Sequence, residues 1–213
     1  MIYLKETFKL SPASPESLDS FVKFSQEQFV PMCPDLGVRL VAAWCSHVEF
    51  FAQVTQVLEF DDMSALKTFR TKASQNTAWG NYSSHLEEIA PERHSRLLEP
   101  IETVPPEILR QAIEESQLRP LGTYFLAVLE VAADNMAAFI AGFEDSIKML
   151  PIIASWRPVA FKRNQVIDLW KGSIPMTYQP ADDWSKQFFR YLRTVAPHEY
   201  LIPVFTLPYS PLR

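Results

Sequence analysis

The chain has 213 residues, 47% hydrophobic, 13% aromatic and 21% charged, with a formal net charge of −5, a composition that folds rather than staying disordered. Its acidic balance and the lack of any Lys/Arg run argue against a nucleic-acid or anionic-membrane partner, and no apolar window approaches the roughly 18 residues a membrane span needs. The opening Met1-Ile2-Tyr3-Leu4-Lys5 reads as a strand rather than a secretory signal, so a cytoplasmic protein is expected.

In chain order, residues 2–10 carry the aromatic, β-branched and leucine content of a strand. Ser14-Pro15-Glu16 is a helix start, after which Leu18, Phe21, Val22, Ser25 and Phe29 share one helical face. Strands are expected at about 38–46 and 51–60, then a helix over 64–89 broken near Ser74 to Asn76, then a strand at 96–101. Residues 102–122 read as a linker, with Pro105-Pro106 leading into a short helix from Glu107 to Gln117. A second series follows: a strand at 123–132, and a helix capped by Asp134 with Met136, Phe139, Ile140, Phe143, Ile147 and Leu150 on its apolar face. Strands at 152–157 and 162–170, a helix at 181–195 and a strand at 200–207 complete it. Pro203 inside that last strand suggests an edge or a bulge.

The two series are copies of each other, since Trp44 and Gln53 recur as Trp156 and Gln165 at one offset of 112 residues. Leu40, Val41, Ala42, Val54 and Val57 fall at the same offset on Ile152, Ile153, Ala154, Val166 and Leu169. Each half therefore reads as a ferredoxin-like βαββαβ unit, the first over 1–101 and the second over 123–213. The fold class is α+β, with two antiparallel sheets joined as an α+β barrel so that their apolar second faces are covered. If each central hairpin folds about its midpoint, Trp44 lies opposite Gln53 and Trp156 opposite Gln165. Gln56 and Asp168 then project from the other face. Duplication leaves a monomer or a homodimer open.

The five glycines are scattered, so neither a dinucleotide fingerprint nor a P-loop nor a Gly-x-Ser-x-Gly elbow can be written. The four histidines show no metal-ligand spacing, so neither metal nor cofactor is expected. Cys33 and Cys45 read as small buried hydrophobes.

Among candidate site residues, Asp168 stands out as an acid inside the apolar run Val166-Ile167-Asp168-Leu169-Trp170. Burial would raise its pKa and suit it to proton transfer, whereas a cationic partner or solvent exposure would leave it structural. Asn164 and Arg157, opposite one another in the inferred register, are its candidate helpers. Gln56, Trp170, Trp44, Trp156 and Tyr82 are candidate pocket walls or ordinary core. His47 and His198 are candidates at the hairpin turn and at the entry to the last strand. His85 on the second helix is a weak candidate haem ligand.

The segment Leu40, Val41, Trp44, Gln53, Val54, Phe60 and Asp61 resembles the signature of the NIPSNAP family, part of the dimeric α+β barrel superfamily. Trp79, Tyr82 and Ser95-Arg96-Leu97-Leu98 match further along, and Asn164 to Trp170 repeats the central motif. The family's motif histidine is replaced by Gln56 in one half and Asp168 in the other, and Ala52 replaces its asparagine, so no role of that histidine carries over. The resemblance implies a barrel for hydrophobic small molecules, among whose relatives are cofactor-free isomerases, cyclases and monooxygenases, and some haem proteins. The expected function is a cofactor-independent enzyme acting on a hydrophobic, oxygenated small molecule by acid/base chemistry: isomerisation, cyclisation or dehydration. The alternatives are a non-catalytic small-molecule-binding or interaction protein and a haem-binding barrel.

Overall fold

A computed structural model describes residues 1–47, 53–174 and 180–213, apart from the side chain of Asp145. The chain packs as two compact units: Met1–Leu98 with Ile113–Gly122 and Val204–Arg213, and Glu99–Ala112 with Thr123–Pro203.

In the first unit, β1 (Ile2–Lys9) leads to α1 (Pro15–Phe24), which runs through a π-helical turn at Ser25–Phe29 into α2 (Val30–Leu36). Ser14 starts this run by accepting from the Ser17 amide at 3.2 Å, with Pro15 in the first turn where it forfeits no helical bond. It ends at Gly37, whose φ of 70° is the left-handed stop that glycine adopts without strain. β2 (Arg39–Ser46) and β3 (Gln53–Phe60) follow, then α3 (Met63–Gln75), α4 (Thr77–Ile89) and β4 (Glu92–Pro100). The expected break near 74–76 falls at Asn76, whose side chain caps α4 through the Trp79 amide at 3.0 Å. β1 pairs antiparallel with both β3 and β4, and β3 with β2. Phe8, Phe21, Phe29, Leu36, Val54, Leu58, Leu66 and Tyr82 join the sheet to the helices in one core.

α5 (Pro106–Leu118) spans the expected linker helix with one residue more at each end. The second unit then runs β5 (Thr123–Glu130), α6 (Met136–Ser146) with a 3-10 turn at Ile147–Met149, β6 (Ile152–Pro158), β7 (Gln165–Lys171), α7 (Asp183–Val195) and β8 (His198–Thr206). Its core joins Ala127, Leu129, Val131, Ile152 and Val166 to Phe139 and Phe143 of α6 and to Phe188, Leu192 and Val195 of α7. Asp134 does not cap α6. It takes φ of 64°, and Asn135 holds the cap position without a side-chain bond. The strands follow the closed order β1-β3-β2-β8-β5-β7-β6-β4, the α+β barrel topology.

Both central hairpins differ from the midpoint register by two residues. Trp44 lies opposite Thr55, with Gln53 opposite Ser46, and Trp156 lies opposite Ile167. The register shifts between Leu40 and Ala42 in one half and between Ile152 and Ala154 in the other. The bulges thus fall on Val41 and Ile153, a matched pair of the repeat, and each advances its strand by one residue. A shift of two leaves the face assignment intact, because side chains alternate with period two. Position 51, the expected start of β3, and Ala52 lie outside the described residues.

Candidate functional site

Between the polar residues at its two ends, Gln165 and Lys171, β7 is apolar on both faces except at Asp168. Asp168 is fully buried (0% exposed), in line with Val166 and Trp170 on the face that packs against α6 and α7. Ser155, on the turn side of the bulge at Ile153, lies opposite it, and the Ser155 hydroxyl donates to Asp168 Oδ1 at 2.5 Å. On its other side β5 presents Ala127 opposite Asp168 and Phe125 opposite Trp170. The Phe125 and Trp170 rings stack at 5.3 Å, so an aromatic wall stands beside a small residue next to the acid.

Two buried side-chain polar atoms among the described residues lack a hydrogen-bond partner, Asp168 Oδ2 and Trp170 Nε1. They sit two residues apart on one strand face, one an oxygen that can accept or carry a proton, the other a donor only. A buried unmet group costs about 1–3 kcal/mol, and two neighbours of complementary kind are an unusual pairing to leave open. Burial pushes the Asp168 carboxyl up to about 7, opposed by the Ser155 hydrogen bond and reinforced by the negative charge of Glu199. Glu199 stands at the start of β8 and pairs with Arg193 of α7. Asp168 is thus poised to exchange a proton near neutrality.

The same position in the first unit, Gln56, is equally buried but fully engaged. Its Nε2 donates to the Tyr209 hydroxyl at 2.9 Å and to the Tyr82 hydroxyl at 3.4 Å, and Tyr82 in turn lies 3.1 Å from Ser25 Oγ. Tyr82 is stacked between Phe24 and Phe29, at 5.6 and 5.3 Å. Burial drives both phenols well above their ordinary range, so they are neutral hydrogen-bonding groups. Gln56 and Tyr82 therefore bond within the first unit.

The expected helpers are placed otherwise. Arg157 Nε bonds Glu99 Oε1 at 2.6 Å, and Asn164 Nδ2 bonds the Val131 carbonyl at 3.1 Å, so neither engages Asp168. They are not opposite each other, since the turn-side register of the hairpin lies two residues from the midpoint one that had paired them. Trp44 and Trp156 are buried on the sheet faces away from the helices, while Trp170 joins Asp168. His47 is exposed at the end of β2 with its ring 5.9 Å from that of Phe205, and His198 is exposed at the first residue of β8. His85 lies against the Phe24 ring at 4.0 Å and near Glu88 at 3.8 Å. Among the described residues no three metal-ligating side chains gather, and no helix is long and apolar enough to cross a membrane. Cys33 and Cys45 are buried free thiols whose pKa burial raises, to about 12 for Cys33.

Ser155 and Glu199 escaped the sequence reading. Ser155 had a signal, as the polar member of Ile152-Ile153-Ala154-Ser155-Trp156 where the first half has Ala43. Glu199 had none, because its electrostatic reach to Asp168 arises only when β8 folds back.

No protein-family model matches the chain, and no curated protein matches it in sequence. Solved structures do. A proposed monooxygenase from Lactobacillus acidophilus, 10% identical, aligns over 96% of this chain and 93% of its own with a TM-score of 0.62. An anthrone oxidase-like protein, 9% identical, aligns over 96% and 90% with a TM-score of 0.57. A NIPSNAP domain protein from Burkholderia xenovorans, 17% identical, covers 49% of this chain with 99% of its own length, at a TM-score of 0.44. The two whole-chain likenesses establish the fold as an α+β barrel.

Proposed function

We propose that the second unit holds a cofactor-independent acid/base site for a hydrophobic, oxygen-bearing small molecule, with Asp168 as the group that takes and returns the proton. The observation that carries this reading is the open pair: a buried carboxyl oxygen beside a buried indole N–H, both without partners, under a stacked aromatic wall. A ligand oxygen that accepts from Trp170 Nε1 would hold a carbonyl or enol in place. The neighbouring carboxylate Oδ2 would then remove a proton from the adjacent carbon or hydroxyl. As the proton moves, negative charge grows on the oxygen that the indole N–H already holds, so the donor stabilises the transition state more than the ground state. Ser155 keeps the carboxyl oriented, leaving Oδ2 free to react. Isomerisation, cyclisation and dehydration all share this step.

The test is solvent exchange. In D2O the protein should promote deuterium uptake at the carbon next to the carbonyl in hydrophobic hydroxyketones, read by proton NMR. Asp168→Asn keeps the shape and removes the acid, and should lower that exchange roughly 100-fold or more while ligand binding persists. Undiminished exchange in the variant would remove Asp168 from the chemistry. A variant that fails to fold would mark the carboxyl as a structural group instead.

A further inference from the structure

The first unit's sheet has a second face, turned away from its helices, that is polar, largely buried along β1 and β3 and exposed along β4. Across it run Tyr3, Lys5 and Thr7 of β1, Thr55, Val57 and Glu59 of β3, and Arg96 and His94 of β4. Tyr3, Thr7, Thr55, Val57 and Glu59 are each 5% exposed or less. Charges in such a setting are expected to be paired, and most here are. Arg39 donates to Glu59 at 2.6 Å, with the Tyr3 hydroxyl on the other Glu59 oxygen at 2.8 Å. Lys9 meets Glu92 at 2.9 Å, and His94 meets the same carboxylate at 2.9 Å. Lys5 lies between these pairs and differs from both.

Among the described residues Lys5 meets no carboxylate. Its Nζ donates to Thr7 Oγ1 at 3.3 Å, and Thr7 Oγ1 is in turn 3.3 Å from Thr55 Oγ1. The residue directly opposite on β4 is Arg96, a like charge where cross-strand like charges destabilise. Burial, then the Arg96 charge, pull the Lys5 ammonium down to about 8. Lys5 nevertheless keeps part of its surface open, unlike the residues on either side of it on β1. A cation enclosed by protein but still reachable, with two hydroxyls alongside and a second cation opposite, has the make-up of an anion seat. Lysine supplies the point charge and the threonines supply directional donors.

We propose that Lys5, Thr7 and Thr55 form a binding site for an anionic oxygen group, a carboxylate or a phosphate, on this face of the first unit. It is separate from the Asp168 site and does not depend on that site being catalytic. The anion accepts from Lys5 Nζ and from the threonine hydroxyls, and it offsets the repulsion between Lys5 and Arg96.

The experiment uses the full chain, with inorganic phosphate and acetate as probes in separate titrations at ionic strength held constant with sodium chloride. The Lys5 Cε–Hε signal, assigned by its loss in Lys5→Met, should move saturably with phosphate, with acetate or with both, and the responding probe identifies the group. The same anion should raise the melting temperature of the wild type and of Lys162→Met but not of Lys5→Met. Thr7→Val should weaken binding by about tenfold, the loss of one hydrogen bond to a charged group. Lys5→Met retains the apolar stem and removes the repulsion with Arg96, so it should fold at least as well as wild type in chloride. A Lys5 signal that neither anion moves, or anion stabilisation that survives in Lys5→Met, would overturn the proposal.

Discussion

Asp168 shows how a single buried carboxyl ties stability to pH. Burial raises it from its ordinary 3.8 to about 7, so between those values the unfolded chain has released the proton while the folded chain still holds it. The folded state binds more protons in that window, and stability falls as pH rises through it, then levels off above about 7. Fully expressed, the shift corresponds to on the order of 4 kcal/mol, a large share of a typical domain's stability. Denaturant titrations of the wild type and Asp168→Asn at successive pH values should therefore diverge from pH 4 to pH 7, with the wild type the one that loses stability. Parallel curves would mean that the carboxyl ionises in the fold without penalty. Gln56 predicts the opposite kind of result. It cannot titrate, and Gln56→Leu takes a donor from the Tyr209 and Tyr82 hydroxyls, so it should cost about 1–3 kcal/mol at every pH.

Helix α6 and helix α7 meet where there is no room for a side chain. A Cβ added at Gly142 would lie 2.2 Å from Cε1 of Tyr191, whose hydroxyl donates to the Ala138 carbonyl at 2.5 Å. Gly142→Ala should gain helix propensity yet lower stability by about 1–3 kcal/mol through overpacking. Combining it with Tyr191→Ala should remove that penalty, which a double-mutant cycle would detect as coupling. At this scale much was legible in the sequence. The helix break at Asn76 showed as a polar interruption of an apolar period, and the 112-residue offset placed both central hairpins. The bulges at Val41 and Ile153 were not legible, because an inserted residue in an apolar strand leaves the hydrophobic pattern unchanged. The turn-side register, two residues from the midpoint of each hairpin, was not legible either, and with it went the assignment of Arg157 and Asn164 as partners of Asp168. Asp134 was misread as a cap because its side chain suits that role, whereas its backbone takes the left-handed conformation that Asp tolerates better than most residues.

The molecule as a whole reads as a repeat whose halves differ most plainly at one shared position, Gln56 in the first and Asp168 in the second. The α+β barrel topology followed from the repeat and from strands apolar on both faces, which require cover on each side. In the first unit the shared position is closed by Gln56, Tyr82 and Tyr209, the last contributed by a C-terminal segment beyond β8 that has no counterpart in the repeat. In the second unit the position is buried but only half engaged, with Ser155 on Oδ1 and no partner on Oδ2. Lys5 went unread for a related reason: a lysine followed by Glu6 and Thr7 in a strand looks like a solvated edge until the register shows what faces it. The central claim, that the second unit keeps one poised proton in an otherwise apolar layer, is tested most directly by carbon-13 NMR titration of the aspartate side-chain carboxyls. One signal, absent in Asp168→Asn, should titrate with a midpoint near 7 and move higher in Ser155→Ala, which loses the hydrogen bond favouring the ionised form. An Asp168 signal that titrates in the ordinary carboxylate range near 4 would contradict the account.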